Sequence, residues 1–456
     1  MHQRQVLFGI LGFITIAAIY YITTQFPHIN KKVEQISKLQ QQVETQLVQI
    51  RANGFYLSNR ETEKKKEHFL IRLEDPSKAS AFLTQKGIRI TAKEAEELKG
   101  LMLAVDLSYY NDTISLDLYP AMLPTRLQSI LIQKNDKQLL TRIEEMLKRR
   151  TLFAHIDVDP SRTAFQGYLK DINETMKGTK EAKLVLHGFR FSGNIKNEKI
   201  VEFTQRLQTL YVYIEGMIDR TISGLQHHYA LTGPTIYDYV QEYSIEKLKM
   251  NEAPEVALFA KQLFIHSTSI AKNGLATEKF KTKIKDVGLL FGKETLGMKN
   301  FSLDMNISNL DIDSFETLKS TDPHNKKVPD ALAKKIFEKQ IRIDIPMLSV
   351  EKLTLHGKEI DGFTLHSQID IDSSFDISRF CTNTKHALSK MDATIELSLS
   401  KDLLVLIKEE PEVMLLYMMH RPKVVSDQSI YTIHLKNGLI KINGKELKIN
   451  RKEVKF

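Results

Sequence analysis

Residues 264–292 read FIHSTSIAKNGLATEKFKTKIKDVGLLFG. Apolar and polar side chains alternate through FIHSTSIAKNG and again through KFKTKIKDVGLLFG, with a short polar turn between the runs. A period of two marks a strand whose two faces differ. Long strands joined by short turns predict an extended, strongly bent antiparallel sheet. The pattern spreads in both directions. Upstream lie LFAHIDVD, AFQGYLKDI, KLVLHGFRFSGNI, SGLQHHYALTG and YDYVQEYSIEKLKM; downstream lies FSLDMNISNLDID. Further strands are expected at 341–344, 348–356, 363–372 and 393–400, and in the closing IYTIHLKNGLIKINGKELKI with its two NG turns. Nearer the start, FYLSNRE and HFLIRLE flank TEKKKE as a hairpin, and 101–109 and 113–119 form a pair around NDT. The stretch 201–214 alternates only loosely and reads as helix or strand.

Helical periodicity is confined to short runs. TAKEAEEL at 91–98 begins with a capping box, Thr91 and Glu94. Residues 135–150 carry Leu139, Leu140, Ile143 and Leu147 on one stripe. Short helices are also expected at 328–340 and 376–389, and a helix broken near Pro411 at 403–419. Met414, Met418 and Met419 form a stripe in that last run, which reads as core packing.

The start of the chain differs. VLFGILGFITIAAIYYITTQF, residues 6–26, is uncharged and of the length that crosses a bilayer, about 20 residues at about 1.5 Å each. Its apolar and interfacial residues are Val6, Leu7, Phe8, Ile10, Leu11, Phe13, Ile14, Ile16, Ile19, Tyr20, Tyr21, Ile22 and Phe26. A cleaved signal peptide is the rival reading, but its apolar core runs to roughly 7–15 residues before small ones, and AAIYY puts tyrosines there. Flanking charge is nearly balanced, with Arg4 before the span and Lys31 and Lys32 after it. The reading is a single-pass inner-membrane anchor with the body in the periplasm. Residues 32–51 place Val33, Ile36, Leu39, Val43, Leu47 and Ile50 at spacings of three and four, as in a stalk helix or a helix packed on its own domain.

The fold class expected is therefore α+β and β-rich: an N-terminal transmembrane helix, then long bent antiparallel sheets with a few short helices. The divisions are 1–27 for the cytoplasmic tail and anchor, 28–52 for the stalk, 53–340 for a first β-rich periplasmic region and 341–456 for a second.

Net charge is +9 and spread along the chain, with short clusters at Lys64–Lys66 and Lys148–Arg150. Such a surface suits solvent or anionic head groups; no concentrated stripe or module marks a nucleic-acid binder. One cysteine, Cys381, excludes an internal disulfide and a cysteine-based zinc site. There is no GxSxG, HExxH or P-loop, and no GxGxxG opening a helix. His227 and His228 adjoin in a strand and so point to opposite faces. His187 and His356 occupy matching places in two KLxLHG segments. Asp304, Asp311, Asp313, Asp370 and Asp372 lack the glycine and terminal glutamate of a calcium loop and read as turn and strand-edge carboxylates. No catalytic, cofactor-binding or metal-ligating residue is assigned.

FRFSGNI, FSLDMNI and FTLHSQI, starting at Phe189, Phe301 and Phe363, align without gaps. Phe203, Phe315 and Phe375 follow them, which suggests a repeated strand-then-helix unit. With FSLDMNISNLDIDSFETL and IYTIHLKNGLIKINGKEL in view, the chain resembles the YdgA-like family of bacterial envelope proteins. The resemblance implies a membrane anchor, many long strands and an inner-membrane protein facing the periplasm, and it carries no catalytic residue across. A looser similarity to AsmA-like proteins implies a sheet with an apolar trough for acyl chains. The function expected is non-enzymatic: a tethered module binding lipid or another apolar ligand. The alternative is a scaffold subunit of an envelope machine, such as a secretion apparatus or flagellar motor, with protein partners or copies of itself.

Overall fold

The computed structural model describes residues 35–85, 92–110, 113–133, 137–159, 163–177, 180–196, 199–251, 256–292, 294–314, 338–375 and 384–447. Residues 6–26, Val33, Cys381 and most of 328–340 lie outside them. Among the described residues no helix is long and apolar enough to cross a membrane. The chain divides into two units, Met1–His228 and Tyr229–Phe456.

Unit 1 opens with α1 (Gln35–Ala52), then the hairpin β1 (Phe55–Thr62) and β2 (Lys66–Leu73). Val43, Leu47 and Ile50 of α1 are buried in the unit's core, and Ile36 packs against it. The apolar face of this helix is thus turned onto its own domain. Two short helices follow, α2 (Pro76–Gln85) and α3 (Ala92–Glu97), then β3 (Met102–Tyr109) and β4 (Ile114–Met122). Next come α4 (Thr125–Gln133) and α5 (Lys137–Lys148), then β5 (Ala154–Val158), β6 (Ala164–Leu169), β7 (Ile172–Lys177), β8 (Glu181–His187), β9 (Arg190–Lys196) and β10 (Lys199–Ile214). The loosely alternating 201–214 is therefore strand. α2 and α4 carry no strong sequence signal and were not expected.

Every pairing in unit 1 is antiparallel. β6 with β9 and β7 with β8 hold one common register, Phe165 opposite Gly193 and Ile172 opposite Leu186. β6–β7 and β8–β9 are thus two long strands broken at the same level, while β10 runs past both. Asp171 holds the break: its carboxylate accepts the Gly188 N–H at 2.8 Å and pairs with His187. That backbone bond, with His187, keeps the Asp171 carboxyl below its usual range. Gly188 has φ +67°, which a glycine adopts without strain.

The chain enters unit 2 along β11 (Ile218–Leu231). Unit 2 is a meander of β12 (Tyr239–Asn251), β13 (Val256–Lys272), β14 (Leu275–Phe291), β15 (Glu294–Asp311), β16 (Arg342–Leu355), β17 (Lys358–Ile371) and β18 (Met391–Ser400). Consecutive strands pair antiparallel throughout. β15 and β16 pair across the boundary expected at 340/341, which falls inside this unit. α6 (Thr384–Leu388) precedes β18; α7 (Lys401–Ile407) and α8 (Pro411–Met419) follow it, separated next to Pro411 as expected. Ser400 caps α7 by accepting the Leu403 N–H. β19 (Lys423–Val425), β20 (Gln428–Lys436), β21 (Leu439–Ile442) and β22 (Lys445–Glu446) close the unit, with β20 beside β18. The turns Asn437–Gly438 and Asn443–Gly444 have positive φ at both residues, as tight hairpins require.

The three echoes do not repeat one unit. Phe189 leads into β9 and then strand β10, which holds Phe203, so no helix follows the first copy. The KLxLHG segments diverge as well. His356–Gly357, both at positive φ, reverse the chain between β16 and β17, whereas Gly188 sits in a strand that keeps its direction.

Candidate apolar face of unit 2

In six strands of unit 2 the apolar side chains step by three, once, instead of two. The steps are Ile245 to Leu248, Ala260 to Leu263, Ile284 to Val287, Met298 to Phe301, Val350 to Leu353 and Ile360 to Phe363. They fall at one level. Leu248, Ala260, Val287, Met298, Leu353 and Ile360 are successive cross-strand partners. Ile245, Leu263, Ile284 and Phe301 form the row beside them, continued by Val350 and Phe363. Residues three apart in a regular strand face opposite ways. Here Gln262 and Asn300, with φ of +50° and +51°, lie between the rows on β13 and β15, and Gly362 lies between them on β17. A left-handed residue rotates β13 and β15 at this level and brings both of their rows to one side. The packing agrees: Leu353, Leu355 and Ile360 share a cluster with Phe363, Leu397 and Leu399.

Unit 2 therefore has one continuous apolar side. Among the described residues it is covered at the C-terminal end, where α7 contacts β17, β18 and β20 and buries Leu403 and Leu404. On β12 to β15 the side chains of Ile245, Leu263, Ile284, Phe301 and Leu303 are only half-buried. On the opposite side of β12 and β13 a cavity of about 300 Å³ is lined by Lys247, Lys249, Asn251, Ala257, Phe259 and Lys261. At the other end the apolar side turns polar. The Tyr239 hydroxyl donates to Glu278 at 2.7 Å, Ser267 donates to the same oxygen at 3.2 Å, and Gln241 donates to the Tyr243 hydroxyl at 2.6 Å. Burial and the Glu278 hydrogen bond push Tyr239 up to about 12. An apolar length ending in a few convergent polar groups is the usual make-up of a ligand site. The opposite side carries Lys279, Lys281, Lys283 and Lys285 at every second position of β14.

No family model, curated protein or solved structure matches this chain.

A left-handed glutamine stores strain of about 1–2 kcal/mol relative to the right-handed form. Gln262→Gly should therefore leave unit 2 as stable as before or raise its unfolding free energy by up to about 1 kcal/mol. Thermal unfolding checks this; a clear loss of stability would show that the Gln262 side chain is itself required.

A second cluster lies in unit 1, as a row of direct cross-strand partners: His68, Asp106, Asp117, His155, Tyr168 and Arg190. His68 Nδ1 lies 2.5 Å from Asp106, and His155 lies 2.6 Å from Asp117 and 3.2 Å from Asp157. Arg150 reaches Asp106 at 3.3 Å and stacks on Tyr119 at 3.9 Å. Two aspartates directly opposed would repel; the histidines and Arg150 offset this. The hydrogen bond to Asp117 raises the His155 pKa, with Asp157 adding to it against the effect of burial. His227, buried beside Phe203, is lowered by burial and by His228.

The signs of these two shifts differ. His155 contributes stability that is complete below the unfolded value of about 6.5 and is lost as pH rises through its raised folded value. His227 favours its neutral form, so its contribution is lost as pH falls below about 6.5. Unit 1 should be most stable near pH 6.5, and His155→Gln should flatten the alkaline limb alone. Urea midpoints across pH 5 to 8 test this.

Asp311 and Asp372 cap turns by accepting from Ser314 and Ser374; Asp304 pairs with Lys281 at 3.6 Å; Asp370 lies 3.9 Å from Arg342. Among the described residues no group of three or more histidine, cysteine, aspartate or glutamate side chains is placed to hold a metal. The methionine stripe corrects its reading as core: Met414, Met418 and Met419 are 43%, 68% and 47% exposed. The phase step was legible in the sequence as a spacing of three recurring among twos. The His–Asp row was not, because its members come from six separate strands.

Proposed function

We propose that this chain is a bilayer-tethered, β-rich envelope protein that holds acyl chains, or an apolar ligand of similar form, on the apolar side of unit 2, without chemistry of its own. One observation carries the reading: strands up to 18 residues long change phase together, so that one side stays apolar through the change and ends in a polar cluster, half-open on β12 to β15. A sheet that needed only a core would bury that side. The uncharged stretch 6–26 supports a membrane anchor, and the YdgA-like and AsmA-like resemblances support an inner-membrane protein with its body in the periplasm. In that setting lipid is the abundant apolar ligand.

The test places a photoreactive phenylalanine analogue at Leu303, or at Lys283 on the opposite side, in the full chain in growing cells. Ultraviolet light should give lipid adducts at 303, resolved by mass spectrometry, and few at 283. Equal labelling at both positions, or none at 303, would remove the reading. A scaffold role in a larger envelope assembly is favoured by a different feature, the exposed apolar helix α8.

A further inference from the structure

α8 has the sequence PEVMLLYMM and contains no buried residue. Leu416 and Tyr417 rest on the unit's second core cluster, and the Lys408 ammonium lies over the Tyr417 ring at 3.3 Å. Its outer face is Met414, Leu415, Met418 and Met419, residues three and four apart and so neighbours on one side of the helix. Leu415 is 57% and Met418 68% exposed. Isolated exposed apolar residues are ordinary; a contiguous patch at this density marks a docking surface.

Charge decides the occupant. Glu409, Glu410 and Glu412 stand exposed at the start of α8, and Arg421 and Lys423 stand exposed just past its end. Among the described residues none of the five makes an ion pair, and Glu410 makes no side-chain cap bond although it holds the N-cap position. Favourable placement along the helix dipole accounts for the signs of these charges. It does not account for the bare methionine and leucine face between them. An anionic bilayer would be repelled by the three glutamates. A surface that is acidic at one end, apolar in the middle and basic at the other is complementary to itself when turned end for end, which is the requirement of a two-fold interface.

We propose that α8 is a homodimer interface, in which two copies of the chain pack their α8 helices antiparallel. Met414, Leu415, Met418 and Met419 meet across the axis. Glu409, Glu410 and Glu412 of each copy face Arg421 and Lys423 of the other, over a helix about 13 Å long. Four partly exposed side chains cover less than the roughly 800 Å² per partner of a standard interface, which suits a dimer that dissociates on dilution.

The experiment is sedimentation of the full chain in non-ionic detergent over a wide concentration range. The wild type should form a dimer that dissociates on dilution. Leu415→Glu with Met418→Glu should be monomeric throughout, with an unchanged circular dichroism spectrum. Two charge variants give the decisive measurement. One carries Glu409→Lys, Glu410→Lys and Glu412→Lys; the other carries Arg421→Glu and Lys423→Glu. Each alone should dimerise about tenfold or more weakly, and an equimolar mixture should recover the dimer. A monomeric wild type, a dimer that survives Leu415→Glu with Met418→Glu, or a mixture that stays monomeric would each overturn the proposal. So would a monomer whose α8 face instead binds vesicles.

Discussion

Arg60→Ala is expected to lower the unfolding free energy of unit 1 by about 3–5 kcal/mol, the cost of leaving a buried charge without its partner. The charge is Glu67 on β2, whose side chain is fully buried. Arg60 on β1 donates to it at 2.9 Å, and the buried Tyr109 hydroxyl on β3 donates at 2.8 Å. Arg60 also pairs with Glu44 of α1, so one guanidinium ties the first helix to the first two strands. Removing it strands the carboxylate and loosens α1 together. Urea denaturation of the full chain should show the midpoint of unit 1 fall while that of unit 2 holds. Arg60→Leu combined with Glu67→Leu should recover most of the loss, since an apolar pair leaves nothing unsatisfied. If the single and double variants are equally unstable, packing rather than charge is responsible.

The second large effect is expected at Gly362. A Cβ built there would lie 2.0 Å from the Val350 carbonyl oxygen and 2.8 Å from its carbon. Both are backbone atoms of the neighbouring strand and cannot step aside as a flexible side chain would. Gly362→Val should therefore destabilise unit 2 by about 3 kcal/mol, at the upper end of what overpacking usually costs. Alanine should cost less but still measurably, because the clash begins at Cβ. The effect should appear in the unfolding transition of unit 2 and leave unit 1 unchanged. A neutral Gly362→Ala would mean that β16 and β17 can separate at this level without loss.

Strand-forming stretches were readable because their signal is local: in FTLHSQIDID or IYTIHLKNG, alternation within a few residues states both the element and its faces. The break in the run before Pro411 was readable for the same reason. The helices α2 and α4 were not, since PSKASAFLTQ and TRLQSILIQ lack a clean stripe and depend on the core they meet. The orientation of α1 is not legible in the sequence, because a stalk helix and a packed helix share the same periodicity and only the partner surface differs. The exposure of Met414 and Met418 is not legible either, because helical spacing says which residues share a face, not whether anything covers it. The echoes at Phe189 and Phe363 misled in the opposite way: similar strands recur wherever alternation is the only constraint, and His356 turns the chain where His187 does not.

Long strands with uniform alternation are poorly keyed, since a slide of two residues exchanges one greasy position for the next at little loss. The shared change of phase at Gln262, Asn300 and Gly362 supplies the missing notch. A strand displaced by two would set its notch against its neighbour's regular stretch and turn the groups between the two notches to the wrong side. Gln262 and Asn300 therefore also act as teeth, favouring one alignment during assembly and denying a stray strand from another chain an easy fit.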